Sequence, residues 1–324
     1  MVPSAGTEGL DHTLALELVR ATEAAALAAD RWVGRGATNS GRSAAIDAMH
    51  RLLMSVPMRG AVVIGVGEKR GTSVLPKGEC VGDGNGPACD IVISAGDVSP
   101  PMVAVAERGA MYDPSSVLSM EKLAVGPDYV HVVDIDRPVA QNLRAVAAVK
   151  GVRLSDVIVA VSNRPRNRQL VREIREAGAR VHLTEGGDVA GAIAAACPEN
   201  SVDMLMGTGG AADGVIAAAA LSCLGGALQA RLRPEDSEQH EKKHQTGLDA
   251  GSVLHTGDLV RGGKVLFCAT GVTGSELLSG VQHRSGRTCT QSIVLCSSPH
   301  TVRIVTSEHR RASRSEHLGM DPDE

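Results

Sequence analysis

The stretch that decides the fold is VIVAVSNRPRNRQLVREIREAGARVHLTEGGDVAGAIAAACPENSVDMLMGTGGAADGVIAAAALSCL, residues 157–224. In it, short apolar runs typical of buried strands alternate with longer segments of helical periodicity. The predicted strands, each followed by its helix, are Val157–Val161 and Gln169–Ala177, Val181–Leu183 and Val189–Ala196, and Met204–Met206 and Ala211–Leu224. This alternation predicts an α/β fold in which helices cross between strands.

The alternation begins upstream with a predicted strand at Val130–Val133 and a helix at Val139–Val149. Outside it the pattern predicts two opening helices and further short strands: helices Leu10–Val33 and Ala44–Met54, and strands Ala61–Ile64, Ile91–Ile93, Met102–Val105, Val265–Ala269, Ser292–Leu295 and Val302–Val305. The charged segment Arg231–Thr246 is predicted to be a solvated helix or loop. Residues 309–324 are polar and predicted to form a disordered tail.

The composition argues against several classes of protein. The 324 residues carry a formal net charge of −4, which gives no reason to expect nucleic acid or an anionic membrane as a partner. The longest apolar runs, such as Ile216–Leu221, are too short to span a bilayer. No signal peptide opens the chain, so we expect a cytoplasmic protein. The seven cysteines form no CxxC pair and are expected to be reduced, buried thiols.

A glycine-rich segment, Gly207-Thr208-Gly209-Gly210, lies between a predicted strand and a predicted helix. Glycine lets a backbone approach a ligand closely, and the start of a helix presents unpaired N–H groups to an anion. A tight turn that needs glycine for its geometry alone would give the same pattern. Both interpretations are open at this point.

Two other polar segments follow predicted strands. Arg164-Pro165-Arg166-Asn167-Arg168 follows the strand that ends at Val161, and its guanidinium groups are suited to clamp phosphate, although a solvated basic loop explains the pattern equally. Gly186-Gly187-Asp188 follows the next strand. Asp188 is suited to cap the helix that it opens, and as a second role to accept hydrogen bonds from sugar hydroxyls.

Several blocks together resemble one family, and they occur in the family's order from about Leu10 to about His309. They are Glu17–Ala26, Arg31–Gly36, Met58–Gly65, Met120–Pro127, Arg164–Arg166, Gly187–Ala190, Gly207–Gly210 and Ala269–Gly274. With these blocks the chain resembles the class II fructose-1,6-bisphosphatases, which belong to the lithium-sensitive sugar and inositol phosphatase superfamily.

The resemblance implies a layered αβαβα sandwich and one phosphatase-type fold over residues 1–308. Within it, a metal-site half would cover about 1–135 and a sugar-phosphate half about 136–308. It also implies hydrolysis of the 1-phosphate of fructose 1,6-bisphosphate in gluconeogenesis, with Mg²⁺ or Mn²⁺ as cofactor, and family members tend to form homo-oligomers. Hard cations of this kind are held by carboxylates and lower the pKa of an attacking water.

The family pattern assigns roles to several residues of this chain. Asp97 and Asp213 would hold metal, while Glu68 and Ser99 would act in catalysis. The positions that would bind substrate are Arg164, Pro165, Arg166, Gly187, Asp188, Gly209 and Gly210.

The sequence departs from the family at its acidic cluster. Three positions where the family has carboxylates are Arg42, Val66 and Ser94, and a further acidic position is Arg70. Asp213 replaces a glutamate, Ser119 a substrate-contacting tyrosine and Gly186 a substrate-contacting aspartate. An arginine repels a divalent cation and a valine offers no lone pair, so we expect weak metal binding.

Three hypotheses are consistent with this pattern. In the first, the chain is a slow, impaired fructose-1,6-bisphosphatase. In the second, it is a catalytically inactive relative that binds sugar phosphates and has a binding or regulatory role. The third is the product of a decaying gene copy that folds poorly, which the scarcity of aromatic residues and a shortened segment after Ser99 favour.

Overall fold

The computed structural model describes residues 10, 12–36, 38–66, 75–96, 99–115, 117–184, 187–234 and 251–310. They form two compact units. Unit 1 takes its described residues from 1–111 and 262–324, and unit 2 from 112–261. No helix of the described residues is long and apolar enough to cross a membrane.

The helices are α1 His12–Asp30, α2 Thr38–Leu53, α3 Val139–Lys150, α4 Arg168–Glu176, α5 Asp188–Ala196 and α6 Ala211–Leu224, with a one-turn helix at Thr256–Leu259. The strands are β1 Arg59–Ile64, β2 Cys80–Val81, β3 Ala88–Ser94, β4 Met102–Glu107, β5 Ser119–Val125, β6 Ile158–Ser162, β7 Arg180–Thr184, β8 Met204–Gly210, β9 Ala227–Arg233, β10 Leu254–His255, β11 Val265–Thr270, β12 Gln282–Arg284, β13 Arg287–Ser297 and β14 His300–Arg310. The predicted α/β class is confirmed.

Unit 1 contains a mixed sheet of order β12-β13-β11-β4-β3-β1-β2, in which β14 pairs with β13; α1 packs against this sheet and α2 packs against α1. Four apolar residues of α1, at Leu14, Leu18, Ala21 and Ala25, have a spacing that places them on one helical face. All four are buried in the core of this unit. The burial of that face positions α1 on the sheet.

Unit 2 contains a mixed sheet of order β10-β9-β5-β8-β6-β7. Strands β6, β7 and β8 run parallel, and β5 is antiparallel to both β8 and β9. Helix α5 is buried along its whole length and consists mostly of alanine. Its glycine, Gly191, lies so close to Leu205 that an added Cβ would be 2.7 Å from Leu205 Cδ1. Small residues therefore allow α5 to lie directly on the sheet.

The predicted strand at Val130–Val133 is wrong. This segment forms turns after a 3₁₀ turn at Pro127–Tyr129, and its valines pack on the core of unit 2 without pairing as a strand. The strand of this region is β5, Ser119–Val125, which lies between β8 and β9. An apolar run shows that side chains are buried, but it does not show how the backbone is paired.

Three other predictions need correction. The first part of the predicted solvated segment, Arg231–Arg233, instead forms the end of strand β9. Arg231 and Arg233 both form ion pairs with Glu121 on the neighbouring strand. Residues 235–250 lie outside the described part. His309 and Arg310 belong to β14, where the His309 ring is buried 3.0 Å from Thr290 Oγ1, and the rest of the predicted tail lies outside the described residues. Six cysteines are buried thiols as predicted, but Cys80 is exposed.

Unit 1 is built from two separate parts of the chain. After residue 261 the chain returns to unit 1, to which it contributes β11–β14. The predicted single fold over residues 1–308, with halves at about 1–135 and 136–308, stays a prediction.

Candidate functional site

The carboxyl ends of the parallel strands β6, β7 and β8 carry most of the residues that the sequence singles out. Arg164–Arg166 follow β6, Gly187 and Asp188 follow β7, and Asp213 lies in the first turn of the helix that follows β8. Strands β6 and β8 pair only at Val159–Met204 and Ala160–Leu205. Where neighbouring strands part in an α/β sheet, a crevice forms that can receive a ligand.

The glycine segment belongs to strand β8 rather than to a separate turn. Gly207, Thr208, Gly209 and Gly210 all pair with β5, and α6 begins directly at Ala211. Two of the glycines are required by close approach. A Cβ on Gly209 would overlap the carboxylate of Asp188, and a Cβ on Gly210 would lie 2.9 Å from Asp213 Oδ2.

Lys122, on strand β5, holds this arrangement together. Its side chain is fully buried, and its Nζ donates a hydrogen bond to the carbonyl oxygen of Gly210 at 2.7 Å. The same Nζ forms an ion pair with Asp188 Oδ2 at 2.5 Å, and the Asp188 side chain is only 5% exposed. A buried charge is costly unless it is paired, so each of the two groups stabilises the other.

Asp188 is the first residue of α5, as the sequence predicts for a capping position, but its side chain makes no capping hydrogen bond to its own helix. It turns instead to Lys122 and Gly209. Gly187 precedes it with a φ of +89°, a conformation that glycine adopts without strain. Asp188 is therefore fixed as a buried carboxylate, a group suited to accept hydrogen bonds from hydroxyls.

Asp213 shares the same electrostatic environment. Burial raises the pKa of its carboxyl above the ordinary value, since a charged carboxylate is poorly solvated there, and the charge of Asp188 raises it further. Lys122 and Arg164 oppose this rise. The positive charges of Lys122 and Arg164 thus act on the Asp213 carboxyl, while Lys122 is paired directly with Asp188.

The Arg164-Pro165-Arg166 segment forms a tight turn. Arg164 is extended and precedes a 3₁₀ turn at Pro165–Asn167, in which proline provides the first residue. Both arginines are exposed, and Arg166 Nη1 donates to Ser119 Oγ at 3.3 Å. Ser119 therefore lies beside Arg166.

Asn167 links the two parted strands. Its Nδ2 donates to the carbonyl oxygen of Ser162 at the end of β6, and its Oδ1 accepts from the backbone N–H of Thr208 in β8. Sequence reasoning gave no role to Lys122 or Asn167. The neighbouring charges of Glu121 and Lys122 hide the strand that carries Lys122, and nothing in the local pattern distinguishes Asn167.

The positions assigned to unit 1 present a different picture. Arg42 is exposed on α2, and Ser94 is the half-buried last residue of β3. Val66 is buried and belongs to the hydrophobic core of the unit. Ser99 folds back on Gly96, where an added Cβ would lie 3.2 Å from its Oγ. Glu68, Arg70, Asp97 and Gly186 lie outside the described residues.

The described residues do not fit a site for divalent metal. At the positions that the sequence resemblance assigns to metal ligands they supply a guanidinium, an alkyl side chain and a hydroxyl, from Arg42, Val66 and Ser94. Within the described ranges, no three His, Cys, Asp or Glu residues form a group that could hold a metal ion. Hard cations need several oxygen ligands with negative charge, which this donor set does not provide.

Charged and polar side chains at the carboxyl ends of parallel strands are typical of α/β proteins that bind small anionic molecules. Comparison with known proteins identifies the family. Residues 12–309 match the family model described as "Bacterial fructose-1,6-bisphosphatase, glpX-encoded". The chain belongs to this family of class II fructose-1,6-bisphosphatases, whose members generally depend on metal.

Curated relatives agree with this assignment. "Fructose-1,6-bisphosphatase 1 class 2" of Escherichia coli K12 is 35% identical over 319 residues, which cover 91% of this chain and 95% of the relative. The proteins named "Fructose-1,6-bisphosphatase class 2" of Escherichia coli O6:H1 and of Shigella flexneri show the same identity and coverage. The resemblance found from the sequence motifs is thus confirmed.

Proposed function

We propose that this chain is a class II fructose-1,6-bisphosphatase that binds fructose 1,6-bisphosphate through unit 2 and hydrolyses its 1-phosphate slowly. Family membership over nearly the whole chain supports the substrate and the reaction. The residues of unit 2 support retained binding, and the altered positions of unit 1 support a low rate. The expected cytoplasmic location and a homo-oligomeric state are part of the proposal.

The observation that carries the binding half of the proposal is the buried Lys122–Asp188 pair against Gly209. A paired carboxylate held rigidly beside a strand end is suited to orient sugar hydroxyls, because its position costs no further ordering when the ligand arrives. Arg164 and Arg166, exposed at the end of the next parallel strand, are suited to bind a phosphate group.

The low rate follows from the chemistry of the altered positions. Family hydrolysis uses metal to activate water, by our proposal Mg²⁺ or Mn²⁺. Arg42 brings a positive charge to a ligand position, and Val66 contributes its side chain to the core instead of to a site. Asp97, Glu68, Ser99 and Asp213 would then be the remaining groups for metal binding and catalysis.

The test is inorganic phosphate release from fructose 1,6-bisphosphate with Mn²⁺ or Mg²⁺, beside the Escherichia coli relative under identical conditions. We expect the unmodified chain to be much slower than that relative. A variant carrying Arg42→Asp and Ser94→Asp is expected to raise the rate. Adding Val66→Glu gives a second variant, whose folding must be checked by thermal melting because the position is buried. A rate equal to that of the relative would contradict the impairment.

A catalytically inactive sugar-phosphate-binding relative is the second candidate, and the burial of Val66 in the core favours it. It predicts no phosphate release by the unmodified chain together with saturable binding of fructose 1,6-bisphosphate. Absence of both release and binding would exclude both candidates. A broad, non-cooperative melt would then support the decaying gene copy.

A further inference from the structure

An arginine-lined groove lies on unit 2, beside the turn after β6 and helix α4. Its volume is about 470 Å³, within the range of small-molecule sites. Four of the residues that line it are Arg164, Arg168, Arg172 and Arg175, and the described lining includes no Asp or Glu. Within the described part of the chain, these four guanidinium groups form no ion pair with a carboxylate.

Three of these arginines lie on one face of helix α4. Arg168, Arg172 and Arg175 follow a spacing of four and three residues, which places them on one helical face, and their Cα atoms span roughly 10 Å at 1.5 Å per residue. Glu173 lies on the adjacent face, where it accepts a hydrogen bond from Gln169. Like charges four residues apart destabilise an isolated helix. The placement of Arg172 four residues after Arg168 is therefore not explained by helix stability.

The other lining residues add hydrogen-bonding groups and an apolar wall. Ser162 and Asn163 contribute a hydroxyl-bearing and an amide-bearing side chain to the lining. Val171 and Leu183 form the apolar part of the lining, and Leu183 is 41% exposed, which is unusual for a leucine on a strand. A groove of this kind is suited to a ligand that is strongly anionic along one side.

We propose that this groove binds a ligand with a continuous chain of two or more phosphate groups. Guanidinium forks bind phosphate oxygens bidentately, and a row of them matches a row of phosphates. A single phosphate would engage only part of the row. Fructose 1,6-bisphosphate has its two phosphates separated by the sugar, so it matches the row less well. The ligand is therefore distinct from the substrate proposed above, although Arg164 is common to both sites.

The two sources of such a phosphate chain are an inorganic polyphosphate and a nucleoside triphosphate. We would titrate tripolyphosphate and ATP separately into the full chain by calorimetry, in EDTA and at low salt. The test variant is Arg172→Gln/Arg175→Gln, which leaves Arg164 in place. Its matched control is Arg144→Gln/Arg180→Gln, which removes the same charge from exposed positions of unit 2 outside the groove lining.

We expect the unmodified chain to bind both probes, and the groove variant to bind them about tenfold or more weakly, because two charge-assisted contacts are lost. The control is expected to bind like the unmodified chain. Tighter binding of ATP than of tripolyphosphate would indicate that the base contacts the apolar wall, and equal binding would indicate that the phosphate chain suffices. No binding by the unmodified chain, or an equal loss in both variants, would overturn the proposal.

A parallel titration with fructose 1,6-bisphosphate keeps this proposal separate from the proposed function. Normal binding of the sugar bisphosphate by the groove variant, with weakened binding of tripolyphosphate, would support two distinct sites. If the unmodified chain bound tripolyphosphate but not the sugar bisphosphate, the proposed function would be contradicted, whereas the proposal for the groove would be supported.

Discussion

Lys122 Nζ lies 2.5 Å from Asp188 Oδ2, and both side chains are buried at the end of strand β8. The lysine comes from a strand and the aspartate from the start of a helix, 66 residues further along the chain. This pair fixes the carboxylate against Gly209 and ties the backbone of Gly210 to strand β5. The pair is therefore central both to the stability of unit 2 and to the proposed sugar-phosphate site.

Replacing the lysine should be strongly destabilising. Lys122→Met leaves Asp188 as an unpaired buried charge, and we expect a loss of about 3 kcal/mol in the free energy of unfolding, measured in urea. Lys122→Met/Asp188→Asn should recover part of this loss, because it removes both charges. Lys150→Met, which breaks a pair whose lysine is 32% exposed, is the control and should cost less. A single variant as stable as the unmodified chain would contradict the role of the pair.

The closeness of Gly209 to Asp188 gives a second prediction. Gly209→Ala forces the carboxylate away from its position, so binding of fructose 1,6-bisphosphate should weaken by about tenfold or more in calorimetry. Gly257→Ala, in the same unit and with no atom near the added Cβ, is the matched control and should bind normally. Equal affinity of the two variants would show that the position of Asp188 does not matter for binding.

The pKa of Asp213 predicts a dependence of stability on pH. Because burial raises this pKa above 3.8, the native state keeps its proton at pH values where the unfolded chain has lost it. The stability that Asp213 contributes therefore falls as pH rises from 3.8 through the raised pKa, and stays low above it. In EDTA, Asp213→Asn should melt a few degrees higher than the unmodified chain at pH 7.

That difference should shrink as the pH falls toward 4, because the native state then keeps the proton of Asp213 and the unfolded chain begins to regain it. Asp128→Asn, at an exposed position of the same unit, is the control and should leave the melting temperature nearly unchanged. A difference that stays constant across this pH range would mean that Asp213 acts by a route other than its charge.

The core position of Val66 gives a prediction for unit 1. Val66→Glu places a carboxylate in the hydrophobic core, so it should lower the free energy of unfolding by about 2 kcal/mol or more in the absence of metal. Val302→Glu, at a strand position of the same unit that is 52% exposed, should have little effect. If Mn²⁺ fully restored the stability of Val66→Glu, residue 66 would lie at a metal-binding position and not in the core.

The elements with strong periodicity were predictable from the sequence, and α6 has the predicted bounds, Ala211–Leu224. Strands β5 and β9 were missed because their charged residues, among them Glu121, Lys122 and Arg231, hide the strand pattern. These charges are satisfied by partners distant in the sequence, which local patterns do not reveal. The valines at 130–133 gave the opposite error, since they are buried without pairing.

The candidate site was predictable where residues follow strands in a recognised order, as Arg164, Asp188 and Gly209 do. The partner of Asp188 was not, because the ion pair joins two elements whose contact depends on the order of strands in the sheet. The interpretation of the glycine segment also changed. Its glycines are needed for the approach of Asp188 and Asp213 to an extended strand, and not for a separate turn.

The most direct test of the account is a calorimetric titration of fructose 1,6-bisphosphate into the unmodified chain in EDTA, with fructose as the matched ligand that lacks phosphate. The account predicts saturable binding of the bisphosphate at one site per chain and no detectable binding of fructose, because unit 2 supplies the paired Asp188 and the exposed Arg164 and Arg166 without metal. No binding of the bisphosphate by a well-folded chain would contradict the claim that the sugar-phosphate site is retained.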